Sequence, residues 1–181
     1  AGFYVVPGLI DLHTHVYWGG TIYGVDPDKL GRASGMTTAV DAGSAGSGNF
    51  RGLVDLQQSR TDVRILAFVN LSYPGIFSDL RQVNFGEAED IRLLNVPHVV
   101  KTLKAWPNKA VGIKIRVGKS TTGALGAMPL HLAVNASEQA GGTPIMVHIG
   151  ADMPPRLEEI LDPLRQGDIV TALAGQPVHA D

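Results

Sequence analysis

The sequence contains no cysteine, which excludes disulfide bonds and thiolate metal ligands. It also lacks an apolar run of about 18 residues and a charged-then-apolar segment at its start, so neither a membrane helix nor a secretory signal is expected. Its 15 basic and 17 acidic residues nearly balance, and no basic patch is evident, which argues against nucleic acid or an anionic membrane as a partner. We therefore expect a cytoplasmic protein whose residues 1–181 form one domain.

Six short apolar segments alternate with helical patterns along the chain. Apolar strands separated by helices indicate a parallel sheet that is covered by helices. Proline stands at or near the first turn of several helical patterns, where its missing N–H is tolerated. The predicted strands span residues 4–12, 38–42, 63–71, 111–117, 143–149 and 168–173. The predicted helices span residues 27–34, 49–59, 87–94, 97–106, 129–140 and 154–164.

Two histidines stand at the end of the first apolar segment, in Asp11-Leu12-His13-Thr14-His15. Residues i and i+2 of a strand point to the same face, so His13 and His15 can bind one metal ion from one strand. His148 ends a later strand in the same way, and it is either a third neutral nitrogen ligand or a hydrogen-bonded core histidine. Neutral imidazoles suit zinc and similar divalent ions.

A lysine inside the apolar run 111–115 is unusual, because a buried ammonium ion loses its hydration. Lys114 could be buried as the partner of a carboxylate, since buried lysines are rarely unpaired. Alternatively, its amine is neutral and carbamylated by CO2, and the carbamate is an anionic oxygen ligand able to bridge two metals. In that form Lys114 would complete a divalent-metal site with the three histidines.

The remaining strand-end residues carry weaker signals. Asp11 either orients a metal-bound histidine or is a buried structural carboxylate. Two polar segments, Asp41-Ala42-Gly43-Ser44 and Asn70-Leu71-Ser72-Tyr73, follow strands and could contact a substrate. Three histidines are not predicted to be ligands, because they fall in helical patterns or near the end of the sequence: His98, His131 and His179.

Three segments stand in order along the chain, each on a predicted strand: Pro7-Gly8-Leu9-Ile10-Asp11-Leu12-His13-Thr14-His15, Val111-Gly112-Ile113-Lys114 and Met146-Val147-His148-Ile149-Gly150. Together they resemble the opening signature, the lysine strand and the histidine strand of the amidohydrolase superfamily, in its dihydroorotase-like branch. Residues 37–43 and 167–171 are similar to segments of deacetylase-like or dihydroorotase-like enzymes. The resemblance is specific for the superfamily and not for the substrate.

The resemblance implies a metal-dependent hydrolase that acts on an amide, a cyclic imide or a related ester of a small molecule. In this superfamily the metal activates water for attack on a carbonyl group. The fold that it implies is a (β/α)8 TIM barrel. It also implies one or two divalent ions, expected to be zinc, with the lysine carbamylated and four ligands: His13, His15, Lys114 and His148.

The chain is shorter than such a barrel. A complete barrel takes about 250 residues, whereas this sequence has 181 and provides six predicted strands instead of eight. We therefore predict an α/β fold of the TIM-barrel type that is incomplete and lacks the superfamily's accessory β domain. The catalytic residues stay unknown, since Ala172 stands where a sixth-strand histidine is expected and the general-base aspartate of an eighth strand is missing. Asp181 is not a candidate for that base.

Two functional interpretations follow. The chain is a hydrolase, or part of one, that is not competent by itself because the general base is missing. Alternatively, it is a catalytically silent metal-binding or scaffold remnant that associates with another chain. A parallel sheet with two unpaired edges tends to associate, so a homo-oligomer is a further expectation.

Overall fold

The computed structural model describes residues 2–76 and 87–171. Within them, six strands form one sheet in which every neighbouring pair is parallel and the strand order follows the sequence. This arrangement confirms the predicted alternation of strands and helices. The strands are β1 (Leu9–Thr14), β2 (Met36–Gly46), β3 (Arg64–Asn70), β4 (Ala110–Val117), β5 (Ile145–Ile149) and β6 (Ile169–Thr171).

Helices connect the strands, and a proline stands in the first turn of the three longest. Asp26 caps the first of these by accepting the N–H groups of the next turn, and Asn95 caps the second in the same way. The helices are α1 (Pro27–Ser34), α2 (Phe50–Leu53), α3 (Val96–Ala105), α4 (Lys119–Thr122), α5 (Met128–Gln139) and α6 (Leu157–Leu161). Single turns of other helical types span Val54–Gln58, Ile91–Leu93 and Gly123–Leu125.

The sheet is curled rather than flat. Strands β1 and β4 are separated by β2 and β3, and three inter-strand spacings in a flat sheet would place them about 14 Å apart. Instead, the Nζ atom of Lys114 on β4 lies 3.3 Å from the Nε2 atom of His13 on β1. The ring centroid of His148 on β5 lies 5.8 Å from that of His13. Side chains from distant strands therefore meet on the concave face of the sheet.

Alternate residues of the strands face two apolar layers. Ile113 of β4 belongs to the large core cluster between the sheet and the helices, together with Leu130 of α5. Phe68 and Met146 belong to a second, smaller cluster on the other face of the sheet. Because successive strand residues point to opposite faces, Lys114 lies on the side of the smaller cluster. This alternation positions the lysine on the concave face.

The first strand begins later than the sequence predicts. The prediction covers residues 4–12, whereas β1 spans Leu9–Thr14, and residues 3–6 are exposed. Pairing decides the boundary, because Leu9 is the first residue that pairs with β2, opposite Met36. Apolar, β-branched composition alone therefore overestimates the strand at this end.

The predicted helix over residues 87–94 is wrong. A single 3₁₀ turn, Ile91–Leu93, forms in its place. Asp90 starts this turn by accepting the N–H of Arg92, and Asn95 then caps α3. Two capping residues so close together leave no room for an α-helix between them.

Some sequence-based predictions lie beyond the part of the chain that the structure describes. The predicted sixth strand covers residues 168–173, and the structure describes it as far as Thr171, with Ile169–Thr171 in β6. Within the described ranges, none of the helices has the length and apolar character needed to cross a membrane. Three residues weighed in the sequence lie outside the described residues: Ala172, His179 and Asp181.

Candidate metal centre

Four side chains that the sequence predicts as metal ligands meet at the carboxyl ends of β1, β4 and β5. The ring centroid of His13 lies 5.7 Å from that of His15 and 5.8 Å from that of His148. Lys114 reaches the same place from β4, with its Nζ atom 3.3 Å from Nε2 of His13. Barrel proteins carry their active sites at this end, because the carboxyl ends of parallel strands meet there.

Lys114 is completely buried, yet it forms no ion pair within residues 2–76 and 87–171. Burial lowers the pKa of its amine from 10.5 to about 8, while the charges of Glu87 and Asp41 act in the opposite direction. The alternative of a buried salt bridge is therefore not found among the described residues. A buried amine with a lowered pKa is neutral more often than an exposed one, and a neutral amine can react with CO2.

The three histidines of the site are neutral at pH 7. Burial lowers the pKa of His13 to about 4, that of His15 to about 3 and that of His148 to about 4. The charge of Lys114 contributes to each of these shifts. A neutral imidazole keeps one nitrogen lone pair, and this is the form that binds a metal.

One imidazole nitrogen in the site is buried and has no partner among the described residues. Within the described residues, Nδ1 of His148 has no hydrogen bond, although buried polar atoms are nearly always paired. In the same ranges, no three His, Cys, Asp or Glu side chains are placed so that they alone could hold a metal ion. Lys114 lies beside His13; its ammonium form would repel a cation, whereas a carbamate in its place would supply an anionic oxygen. With that carbamate, the four residues would fit a divalent metal.

A hydrogen bond from the neighbouring strand holds His15. Its Nδ1 atom lies 2.8 Å from Oγ of Ser44, which belongs to β2. Asp41 accepts the backbone N–H groups of Ser44 at 2.7 Å and of Val16 at 2.9 Å. Burial raises the pKa of Asp41, and these hydrogen bonds oppose the rise. The sequence indicates Asp41 and Ser44 only as residues that could contact a substrate, but both are fully buried behind the histidine.

Among the described residues, the structure shows neither of the two arrangements that the sequence suggests for Asp11. Its carboxylate accepts the backbone N–H of His13 at 3.0 Å and makes no hydrogen bond to a histidine ring among the described residues. The residue is exposed, so it is not a buried structural carboxylate either. His98 and His131 are both exposed, which confirms that they lie at the surface, outside the candidate metal centre.

A second buried network lies beside Lys114. Arg116, two residues further along β4, donates from Nε to Oε2 of Glu87 at 2.7 Å, and its side chain is only 14% exposed. Glu87 also accepts from Nδ2 of Asn70 at 2.7 Å, and the same amide group donates to the carbonyl of Gly43. Sequence reasoning indicates Asn70 as a substrate contact, whereas its side chain bonds to the protein. The sequence alone does not identify Arg116 as part of the site, although a spacing of two residues places Arg116 and Lys114 on the same face of β4.

A cleft of about 960 Å³ opens at the same end of the sheet, between the segments that follow β4 and β5. Asp152 joins the two segments, because its carboxylate accepts the N–H of Ser120 and its carbonyl accepts the N–H of Lys119. None of the four predicted ligands lines this cleft. It is therefore a neighbouring space and not the metal centre itself.

Three curated relatives match nearly the whole chain. A deacetylase of Brucella anthropi is 36% identical over 171 residues, and deacetylases of Agrobacterium fabrum and Enterococcus faecalis are 35% and 36% identical over 171 residues. Each match covers 94% of this chain but only 41%, 40% and 44% of the respective relative. The chain therefore spans less than half the length of these relatives.

Two solved structures share the fold. A dihydroorotase superimposes with a TM-score of 0.86 at 32% identity, which covers 97% of this chain and 48% of the dihydroorotase chain. An adenine deaminase superimposes with a TM-score of 0.82 at 32% identity, over 90% of this chain and 42% of its own. A comparison with protein-family models finds no match. The two structures confirm the predicted fold, a curled α/β half-barrel of six parallel strands that corresponds to an incomplete TIM barrel.

Proposed function

Because this chain belongs to the amidohydrolase superfamily, we propose that it holds the metal of a hydrolase that cleaves an amide, a cyclic imide or a related ester. One observation carries the proposal. His13, His15, Lys114 and His148 come from three strands and meet at one end of the curled sheet.

The three histidines offer defined nitrogen atoms to a divalent metal, which we propose to be zinc. Nδ1 of His15 is bonded to Ser44, so its Nε2 atom is the one left for the metal. His148 offers the buried Nδ1 atom that has no partner among the described residues. His13 offers Nε2, the atom that faces Lys114. When bound, the metal supplies Lewis acidity toward a carbonyl oxygen and lowers the pKa of water.

Lys114 completes this donor set as a carbamate in our proposal. The ammonium ion first loses one proton, and the neutral amine then forms an N–C bond to CO2, one C=O bond of which opens to leave a carboxylate oxygen. A second N–H proton leaves to solvent, so over the two steps a cation becomes an anion. With a pKa of about 8, about one amine in ten is neutral at pH 7, against about one in 3000 for an unperturbed lysine. The conversion also removes the charge that would repel the metal.

Arg116 supplies fixed positive charge close to this centre. Glu87 holds its Nε atom, and its charge is felt at both His15 and His148, whose pKa values it lowers. A preorganised guanidinium can stabilise negative charge that develops on a carbonyl oxygen during hydrolysis. We assign no general base among the described residues, and we propose that the chain alone binds metal but turns substrate over slowly.

The substrate class that we propose to test first is an N-acyl compound, because three relatives carry the name deacetylase. A second function, a metal-binding scaffold that associates with another chain, is favoured by the edge strand β1. Leu9, Ile10 and Leu12 on β1 are each more than half exposed, and among the described residues β1 pairs with β2 alone; an apolar edge of this kind promotes association. Metal binding by an oligomer that does not hydrolyse N-acetyl amino acids or dihydropyrimidines would favour the scaffold. Turnover at about 1–1000 per second would instead show a competent enzyme.

The metal content of the purified protein tests the proposed site. We expect the wild type to retain zinc after dialysis and the double variant His13→Ala/His15→Ala to lose most of it. The matched control is His98→Ala/His131→Ala, which removes two exposed histidines from outside the site. Equal zinc content in the wild type and in both double variants would contradict the proposal.

The role of Lys114 is tested separately. Lys114→Ala should lose metal and should regain part of it when a short carboxylic acid such as propionate is added, because the acid supplies the missing oxygen donor. Full metal content in Lys114→Ala without any added acid would show that the lysine is not a ligand.

A further inference from the structure

Ser44 lies directly behind His15 and is fully buried. Its Oγ atom is 2.8 Å from Nδ1 of the imidazole. The fold creates this contact because β1 and β2 pair as far as Thr14 and Asp41. His15 is the residue after Thr14, and Ser44 lies three residues beyond Asp41 on β2, so the serine hydroxyl approaches the ring at Nδ1.

Asp41 holds Ser44 in place from the other side. Its carboxylate accepts the backbone N–H of Ser44 at 2.7 Å, which fixes the serine behind the imidazole ring. The same carboxylate accepts the backbone N–H of Val16 at 2.9 Å, and Val16 follows His15 directly. One buried side chain thus fixes both the serine and the backbone next to the histidine.

The direction of these hydrogen bonds decides which nitrogen of His15 carries its proton. A hydroxyl has one proton to donate. If Ser44 donates it to Asp41, its Oγ accepts from His15, the imidazole proton is on Nδ1 and the lone pair is on Nε2. If Ser44 donates to Nδ1 instead, the proton is on Nε2, which then cannot bind a metal. Each carboxylate oxygen of Asp41 already accepts a backbone N–H group. Asp41 therefore acts as an acceptor in this network, which favours the first arrangement, with the imidazole proton on Nδ1.

We propose that Ser44, oriented by Asp41, is a positioning residue that holds His15 in the tautomer whose Nε2 atom can bind the metal. The inference rests on the proposed metal site. An acceptor for the second imidazole N–H fixes the ring and strengthens the nitrogen as a ligand. Loss of such a partner typically weakens metal binding about 10- to 100-fold.

Ser72 is a buried serine that provides a matched control for Ser44. It is fully buried after β3, and its hydroxyl has no hydrogen-bond partner in the described part of the chain. Ser72→Ala therefore removes an equally buried oxygen without touching a histidine. If Ser44 only fills space, Ser44→Ala and Ser72→Ala should behave alike.

The histidine tautomers of metal-free protein labelled with ¹⁵N-histidine give the first test, because long-range NMR spectra distinguish a protonated Nδ1 from a protonated Nε2. We expect the His15 proton on Nδ1 in the wild type and a loss of that preference in Ser44→Ala. A wild-type proton on Nε2, or an unchanged tautomer in Ser44→Ala, would overturn the inference.

Zinc affinity, measured by competition with a chelator, gives the second test. Ser44→Ala should bind zinc about 10- to 100-fold more weakly, while Ser44→Thr, which keeps the hydroxyl, and Ser72→Ala should stay close to the wild type. Equal affinities in Ser44→Ala and Ser72→Ala would overturn the inference. The tautomer of His15 is measured on metal-free protein. A wild type that binds no zinc would therefore contradict the proposed metal site, while the NMR result would still decide whether Ser44 sets the tautomer.

Discussion

Replacement of Lys114 by methionine should make the metal-free protein more stable. Methionine is unbranched and carries no charge, and the lysine that it replaces is fully buried. Burial lowers the pKa of the lysine from 10.5 to about 8, and each pKa unit corresponds to about 1.4 kcal/mol. Keeping the ammonium ion inside the fold at pH 7 therefore costs about 3 kcal/mol of unfolding free energy, which Lys114→Met removes.

The cost of burying the Lys114 ammonium ion should also appear in the pH dependence of the wild-type unfolding free energy. The folded protein binds this proton less tightly than the unfolded chain, so the cost is fully present below pH 8 and disappears as the pH rises toward 10.5. The unfolding free energy of the wild type should therefore rise by about 3 kcal/mol relative to Lys114→Met across that interval. Other ionisable groups titrate in both proteins, and their contributions cancel in the difference.

Urea denaturation of chelator-treated protein in CO2-depleted buffer measures both quantities. Zinc and bicarbonate should reverse the order of stability, because a metal that binds only the folded wild type adds to its unfolding free energy. A metal-free Lys114→Met protein that is less stable than the wild type at pH 7 would refute the reasoning. It would show that a partner stabilises the buried ammonium ion.

Two further predictions concern the residues around the lysine. Gly43→Ala should lower zinc content, because a Cβ atom at Gly43 would lie 2.5 Å from Cβ of Lys114. The control is Gly141→Ala, since Gly141 also has a positive φ but no atom lies within 4 Å of an added Cβ. Equal zinc content in the two variants would contradict this prediction. Burial lowers the pKa of His148 from 6.5 to about 4, so metal-free wild type should lose stability as the pH falls through that interval. His148→Leu should lose less, and parallel urea-denaturation profiles of the two proteins against pH would argue against a buried neutral imidazole.

The sequence predicts the six strands and the four residues that converge because both depend on local patterns. Apolar runs identify buried parallel strands, and side chains at their carboxyl ends share one edge of the sheet. The i and i+2 spacing of His13 and His15 already places both on one face. Lys114 is recognisable because a charge is costly inside an apolar strand. Whether these residues bind a metal stays a prediction.

The sequence does not reveal the partners of these residues, because they come from tertiary geometry. Ser44 meets His15 only through the register of β1 and β2, and a polar residue after a strand has no sequence feature that separates this role from substrate contact. Glu87 reaches Arg116 across 29 positions of sequence. The exposed position of Asp11 likewise depends on β1 lying at the edge of the sheet.

A crystal structure of the protein grown with zinc and bicarbonate tests the central claim most directly. The account predicts an anomalous zinc peak bounded by the three histidines, together with planar density that extends beyond Nζ of Lys114. An unmodified Lys114 amine bonded to a carboxylate, with no zinc peak beside His13, His15 and His148, would contradict it.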